Sequence, residues 1–137
     1  MNKLIYFSTI LATLFLTSAG CPKKSTGDGI SGPWTCISIA AIGTLGDVKP
    51  TADFEVAKNA LGGFGGCNTY FSTLEIKDGG QIAITGIGAT RMACEGERGK
   101  VESAYFDVLG AATSYEIKGR NLVLSGRSGP LAVFLKN

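Results

Sequence analysis

The sequence predicts an α+β domain that is made mainly of antiparallel β-strands and contains one α-helix. Two observations support this fold class. Beyond Gly32, short apolar runs are separated by glycine-rich turns, which is typical of antiparallel β proteins. In residues 97–113 the apolar residues change to the three- and four-residue spacing of a helix. With 137 residues, the chain is long enough for one domain and too short for two.

Seven segments have the composition and length of strands. They are residues 33–42, 52–57, 69–76, 81–87, 114–118, 121–125 and 131–135. In the second segment, Phe54 and Val56 alternate with Asp53 and Glu55, so one face of this strand is expected to meet water. In the fourth, Gly86 interrupts the alternation, and we expect a β-bulge there.

Glycine and polar residues mark the turns between these strands. Residues 43–50 form a loop, Asp78-Gly79-Gly80 forms a tight turn, and Gly119-Arg120 and Ser128-Gly129-Pro130 separate the last three strands. The cluster from Gly62 to Gly66 is expected to be a bend at which two backbone segments pass close to each other.

The helix is predicted from one apolar face. Its members recur at helical spacing and are Val101, Ala104, Tyr105, Val108, Leu109 and Ala112. Lys100, Glu102 and Asp107 are expected elsewhere on the surface of the helix.

The first twenty residues have the order of a secretory signal peptide. Lys3 provides a positive start, residues 4–16 are mostly apolar, and the small residues 17–20 follow. The apolar run is shorter than the roughly 20 residues of a membrane-spanning helix. We therefore expect residues 1–20 to be removed during export.

Ala19-Gly20-Cys21 resembles the lipobox of bacterial lipoproteins, in which the cysteine becomes the acylated first residue. Ser18 stands where the usual pattern has leucine, so the alternative is an ordinary cleavage site beside an unmodified Cys21. Residues 21–32 are interpreted as the lipid attachment site and a flexible tether, and residues 33–137 as the folded domain. The expected location is the cell envelope, with a lipid on Cys21 in the outer membrane and the domain facing the periplasm.

Composition excludes several classes of function. The chain has no histidine, which removes Ser-His-Asp and Cys-His catalysis and imidazole-bound zinc. A net charge of +2 is too small to indicate a nucleic-acid partner. The glycine cluster at 62–66 precedes a strand and not a helix, so it does not match a phosphate-binding loop. We expect no catalytic residue, no cofactor and no metal site.

Three cysteines remain in the domain if Cys21 is acylated. Cys36, Cys67 and Cys94 allow at most one disulfide, and the sequence permits three pairings. A bridge between Cys67 and Cys94 would close a loop of about 27 residues and stabilise the fold by about 3.5 kcal/mol in the chain-entropy model.

Three sequence features together resemble the META domain family, which includes the bacterial heat-shock protein HslJ. Trp34 opens the domain, residues 65–70 read Gly-Gly-Cys-Asn-Thr-Tyr, and residues 90–94 read Thr-Arg-Met-Ala-Cys. The helix and the last two strands follow in the expected order. The residues matching the family motif are Trp34, Gly66, Cys67, Asn68, Thr90, Arg91, Met92 and Cys94.

The resemblance implies a curled sheet or open barrel packed around the single α-helix, with Trp34 in the core. It also implies that Cys67 pairs with Cys94, and that Cys36 is a buried thiol or a competitor for the bridge. The family supplies no catalytic residue to transfer to this chain.

The family's links to heat shock and to novobiocin resistance suggest a cellular role. The implied function is a non-enzymatic, lipid-anchored envelope protein that supports stress or antibiotic tolerance by binding another envelope protein. The alternative is a carrier of a small apolar ligand or lipid in a cavity between sheet and helix.

Overall fold

The residues described by the computed structural model are Gly27 and residues 29–137. The predicted signal peptide and the predicted acylation site at Cys21 lie outside the described residues. Within the described part of the chain, nine strands form one antiparallel sheet. They are β1 (Gly32–Ile39), β2 (Gly43–Thr44), β3 (Thr51–Glu55), β4 (Ala60–Phe64), β5 (Thr69–Lys77), β6 (Gln81–Ala89), β7 (Ser114–Lys118), β8 (Asn121–Gly126) and β9 (Gly129–Lys136).

The sheet curls until its first and last long strands pair. Strand β1 pairs with β3 at its beginning, and from Trp34 to Ile39 it also pairs with β9. Strands β6 and β7 are joined at a single pair of residues, Gln81 and Ser114. The chain between them forms helix α1 (Gly96–Ala111), which contacts β6, β1 and β8. The predicted fold class, a curled antiparallel sheet with a single α-helix, is confirmed.

The core lies between the inner face of the sheet and helix α1. The helix contributes Val101, Tyr105, Val108 and Leu109, which are four of the six apolar residues that its three- and four-residue spacing predicts. Of the other two, Ala104 is partly buried, and Ala112 is buried just after the end of the helix. The largest side chains buried from the sheet are Trp34, Ile39, Phe54, Leu61, Leu74, Leu122, Leu124 and Phe134. The predicted place of Trp34 in the core is therefore confirmed.

Strand β4 was not among the predicted strands. Its residues 62–64 belong to the glycine cluster, and glycine has a low strand propensity. The structure explains the glycine at position 63, where φ is +154° and a side chain would collide with the backbone carbonyl of Thr51 on β3. The expected close approach of two backbones is present, but it occurs inside a strand.

Two further boundaries differ from the prediction. Residues 56–57 were assigned to a strand, whereas the strand β3 ends at Glu55 and a short 3₁₀ helix covers Val56–Lys58. Strand β6 continues to Ala89, past the expected bulge at Gly86. Gly86 has a φ of +62°, which a glycine adopts without strain.

The packed part of the chain begins before Pro33, where the sequence placed the start of the domain. Ile30 lies within residues 21–32, which were assigned to the attachment site and tether, yet it is fully buried in the core. Its carbonyl oxygen accepts a hydrogen bond of 2.7 Å from Nε1 of Trp34. This contact satisfies the buried indole N–H and fixes the entry of the chain into β1.

Candidate functional site

Most of the motif residues come together at one end of the sheet. The turn between β4 and β5 contains Gly66, Cys67 and Asn68, and it lies against the segment that leads from β6 into helix α1. That segment contributes Thr90, Met92 and Cys94. We call these six residues the motif cluster.

Asn68 is the centre of the hydrogen bonds in this cluster. Its Oδ1 accepts from Oγ1 of Thr90 at 3.0 Å and from the backbone N–H of Met92 at 2.7 Å. Its Nδ2 donates to the carbonyl oxygen of Met92 at 3.3 Å and to Oε1 of Glu102 at 2.6 Å. Because an amide side chain has two donors and two acceptor positions, all four are used. Asn68 is buried, so these contacts replace those with water.

Glu102 is a member of this site that the sequence did not identify. We expected it on the surface of the helix, off the apolar face, and it does lie off that face, but it is partly buried and contacts the β4–β5 turn. Its Oε2 accepts from the backbone N–H groups of Cys67 at 3.0 Å and of Asn68 at 2.5 Å. Helix α1 therefore holds the β4–β5 turn through one half-buried carboxylate. Nothing in the local sequence distinguishes Glu102 from an exposed helical glutamate, because its partners are more than thirty residues away.

The two glycines before Cys67 allow the turn to approach helix α1 closely. A Cβ atom on Gly65 would lie 2.8 Å from Cζ of Phe106 and 2.9 Å from Oε2 of Glu102. Gly66 has a φ of +124°, a conformation that favours glycine. Its carbonyl oxygen accepts a hydrogen bond of 3.1 Å from Nε of Arg98. The Gly-Gly pair thus lets the turn pack closely against helix α1.

A disulfide joins Cys67 to Cys94, whose Cα atoms are 6.1 Å apart. This is the pairing that the family resemblance implies. Cys36 is free and fully buried, so it does not compete for the bridge. Burial raises the pKa of its thiol to about 12, against a smaller opposing effect of the hydrogen bond with Ser38. The thiol is therefore protonated at neutral pH, which makes it a poor nucleophile.

The remaining motif residues have different environments. Trp34 is far along the chain from the cluster and lies in the core, with Nζ of Lys136 at 4.6 Å from its ring centroid. Arg91 is exposed. Met92 takes part in the cluster through its backbone, while its side chain is 59% exposed. The motif residues thus lie in three environments, which are the core, the hydrogen-bonded motif cluster and the surface.

A pH dependence follows from the contacts of Glu102. Burial alone would raise the pKa of its carboxyl, but the hydrogen bonds from Asn68 and Cys67 and the charge of Arg98 together hold that pKa below its ordinary value. A lowered pKa in the folded state stabilises the fold above the ordinary value of 4.5, and this stabilisation is lost as the pH falls through the folded-state pKa.

We therefore expect Glu102→Gln to lower the free energy of unfolding at pH 7 and to weaken its dependence on pH in the acid range. Urea denaturation between pH 3 and pH 7 measures both effects. Glu97→Gln, an exposed position in the first turn of the same helix, is the matched control and should keep the wild-type pH dependence. Equal pH profiles for wild type and Glu102→Gln would contradict this assignment.

A second polar contact lies deeper in the domain. The hydroxyls of Tyr70 and Tyr105 are 2.8 Å apart, and each lies within hydrogen-bonding distance of the carbonyl oxygen of Thr51. Burial raises the pKa of both phenols, so neither ionises at neutral pH. The ring of Tyr105 also contacts that of Phe134. These side chains belong to the core between sheet and helix, which is the region where the carrier hypothesis places its ligand.

An open groove runs along the outer side of helix α1. Its volume is about 560 Å³. The lining residues are Ile42, Cys94, Gly96, Gly99, Lys100, Ser103, Ala104 and Asp107. Cys94 thus belongs both to the motif cluster and to the lining of the groove, and the disulfide holds the two together. Ile42 is 45% exposed, so the groove combines an accessible apolar side chain with charged groups.

The described residues contain no group of three or more His, Cys, Asp or Glu side chains that could hold a metal ion. In the same part of the chain, no helix has the length and hydropathy needed to cross a membrane.

Comparison with known proteins identifies the family. The model of the META domain matches residues 29–137. The chain belongs to the META domain family. The match includes the whole motif cluster, helix α1 and all nine strands, and it begins close to the buried Ile30. No curated protein matches the chain in sequence.

Solved structures with the same fold are distant in sequence. The META domain described here resembles the NMR structure of a protein from Burkholderia xenovorans, with a TM-score of 0.61, 24% identity, and coverage of 78% of this chain and 82% of that chain. A DUF4847-family protein from Bacteroides vulgatus, solved by crystallography, has a TM-score of 0.55 and 13% identity over 78% of this chain and 93% of that chain. At these identities, the likeness shows the fold alone.

Proposed function

We propose that this META-domain chain is a non-enzymatic, lipid-anchored protein of the cell envelope that binds another envelope protein and thereby supports tolerance of heat and of novobiocin. The observation that supports a binding role is that side chains of the family motif are already engaged in contacts within the domain. Asn68 has all four side-chain hydrogen-bonding positions occupied, and Cys67 and Cys94 are bonded to each other. The side chains of Asn68, Cys67 and Cys94 thus serve to hold the domain together.

The anchoring part of the proposal rests on the sequence around Cys21. Ala19-Gly20-Cys21 follows an apolar export segment, and the polar stretch after it separates the lipid from the domain. Pairing of Cys67 with Cys94 is consistent with folding in an oxidising compartment.

We place the partner contact at the groove along helix α1. The groove has an exposed apolar residue, Ile42, beside Lys100, Ser103 and Asp107. An apolar centre with a polar rim is the composition of protein–protein interfaces. The motif cluster and the disulfide form a rigid support for this surface, which limits the entropy lost on binding.

In-cell crosslinking tests the contact directly. A photo-reactive amino acid is placed at Ser103 in the groove, and as a matched control at Lys77, which is exposed at the opposite end of β5 from Asn68. The proposal predicts that one envelope protein, identified by mass spectrometry, is captured from position 103 and not from position 77. Equal capture from both positions, or capture from neither, would contradict it.

A deletion strain tests the cellular role. We expect reduced survival on heating and in novobiocin, restored by the wild-type gene and not by Cys21→Ser, which cannot be acylated. Unchanged survival of the deletion strain under both stresses would exclude the stress role. Full rescue by Cys21→Ser would exclude the need for an anchor.

A further inference from the structure

The two cysteines of the disulfide differ in their access to solvent. Cys67 lies in the β4–β5 turn and is only 1% exposed. Cys94 is partly exposed and forms part of the lining of the open groove along helix α1. Thiol–disulfide exchange begins when a thiolate reaches one sulfur of the bridge. A thiol in solvent therefore reaches this bridge from the groove, at Cys94.

The disulfide ties an otherwise loosely held segment to the β4–β5 turn. Just before this segment, the N–H and the carbonyl oxygen of Met92 are both bonded to the side chain of Asn68. Ala93 and Glu95 are exposed. Among the described residues, no hydrogen bond joins residues 93–95 to the turn, so the disulfide is their link to it. Opening the bridge releases this segment, and with it one wall of the groove.

The turn itself has contacts that survive when the bridge opens. Oε2 of Glu102 accepts hydrogen bonds from the backbone N–H groups of Cys67 and Asn68. Sγ of Cys67 lies 3.6 Å from the carbonyl oxygen of Met92, which can accept a hydrogen bond from a thiol at Cys67. The reduced turn therefore stays on helix α1 while residues 93–95 are freed.

We propose that the Cys67–Cys94 disulfide is a redox-sensitive latch of the groove, opened at Cys94 by the dithiol of a thiol–disulfide oxidoreductase. A thiolate of the reductant attacks Sγ of Cys94, the S–S bond breaks, and Cys67 leaves as a thiolate and takes up a proton. The second thiolate of the reductant then attacks the reductant's own sulfur in the mixed disulfide. Cys94 leaves and takes up a proton, and the reductant becomes a disulfide. Two electrons and two protons have then passed from the dithiol to the bridge.

The latch gives the groove two forms. When the bridge is closed, Cys94 holds one wall of the groove against the motif cluster. When it is open, residues 93–95 move independently of the turn. A surface that must be ordered during association binds more weakly, so the reduced form is the weaker binder. This effect on binding rests on the proposed partner contact, whereas the latch itself does not.

The first test compares the two thiols one at a time. Cys67→Ala leaves a thiol at Cys94, and Cys94→Ala leaves one at Cys67. Both variants keep the buried Cys36, which is the internal control for an inaccessible thiol. We expect the chromogenic disulfide DTNB to react with Cys94 about a hundredfold faster than with Cys67. Thermal unfolding verifies that both variants are folded.

The second test uses the wild-type mature chain, with dithiothreitol as the dithiol. The rate of reduction should rise in proportion to the concentration of dithiothreitol and should exceed the rate of global unfolding extrapolated from urea. On reduction, the NMR amide signals of residues 93–100 and of Ser103 should shift, whereas those of β8 and β9 should not. The variant with both Cys67→Ala and Cys94→Ala is the control, because dithiothreitol should leave its spectrum unchanged.

Four results would overturn the proposal. They are equal reactivity of Cys67 and Cys94, reduction limited by the rate of global unfolding, unchanged groove signals after reduction, and loss of all native signals after reduction. None of these measurements uses a partner, so failure of the crosslinking from Ser103 would count against the proposed function alone. If that crosslinking succeeds, the double variant should capture less partner than wild type, and equal capture would exclude the effect on binding.

Discussion

Replacing Asn68 with alanine is expected to lower the free energy of unfolding by about 4 kcal/mol, the largest effect of any polar substitution in this domain. The change removes four side-chain hydrogen bonds at once. It also leaves the backbone N–H of Met92 and Oε1 of Glu102 without the hydrogen bond from Asn68 in a partly enclosed site. Such groups lose their hydrogen bonds without regaining full hydration, so the cost exceeds that of an ordinary surface change. Urea denaturation of the mature chain measures the loss.

Asn121→Ala is the matched control for this experiment. Asn121 is an exposed asparagine at the start of β8, and its replacement should change the free energy of unfolding by no more than about 0.5 kcal/mol. If Asn68→Ala were as mild as this control, the hydrogen bonds of Asn68 would not be holding the domain together.

Removal of the disulfide is expected to have the second largest effect. The variant with Cys67→Ala and Cys94→Ala should lose about 3.5 kcal/mol, because the bridge closes a loop of 27 residues that the unfolded chain otherwise leaves free. The double variant should nevertheless fold, since the contacts of Asn68 and Glu102 hold the same two segments together. Denaturation with and without dithiothreitol measures this loss in wild type.

The double variant also provides the control for the reductant. Its only cysteine among the described residues is Cys36, which is buried and unpaired, so dithiothreitol should not change its stability. A loss below about 1 kcal/mol on reduction of wild type would show that the bridge does not limit the unfolded chain.

The sequence predicted the fold well where its physical signals are local. The helix was found because Val101, Tyr105 and Val108 repeat at the helical period, and β5 because alternate residues from Tyr70 onwards are apolar or small. Strand β4 was missed because Gly63 is required by the close passage of the Thr51 backbone, a contact between distant segments that periodicity does not report.

The site was predicted only in part for a similar reason. The motif named Cys67, Asn68 and Cys94, which the structure brings together. It did not name Glu102, whose role arises from a contact across 34 residues of chain.

The central claim is that the family motif stabilises the domain through coupled contacts between the β4–β5 turn and helix α1. A double-mutant cycle between Asn68→Ala and Glu102→Gln measures that coupling most directly. The cycle subtracts the separate effects of the two variants from the effect of both together. Our account predicts a coupling free energy of about 1 kcal/mol or more, because Nδ2 of Asn68 donates a hydrogen bond to Oε1 of Glu102, and the same carboxylate holds the backbone N–H groups of Cys67 and Asn68 in the turn. Additive effects, with a coupling below about 0.3 kcal/mol, would contradict it.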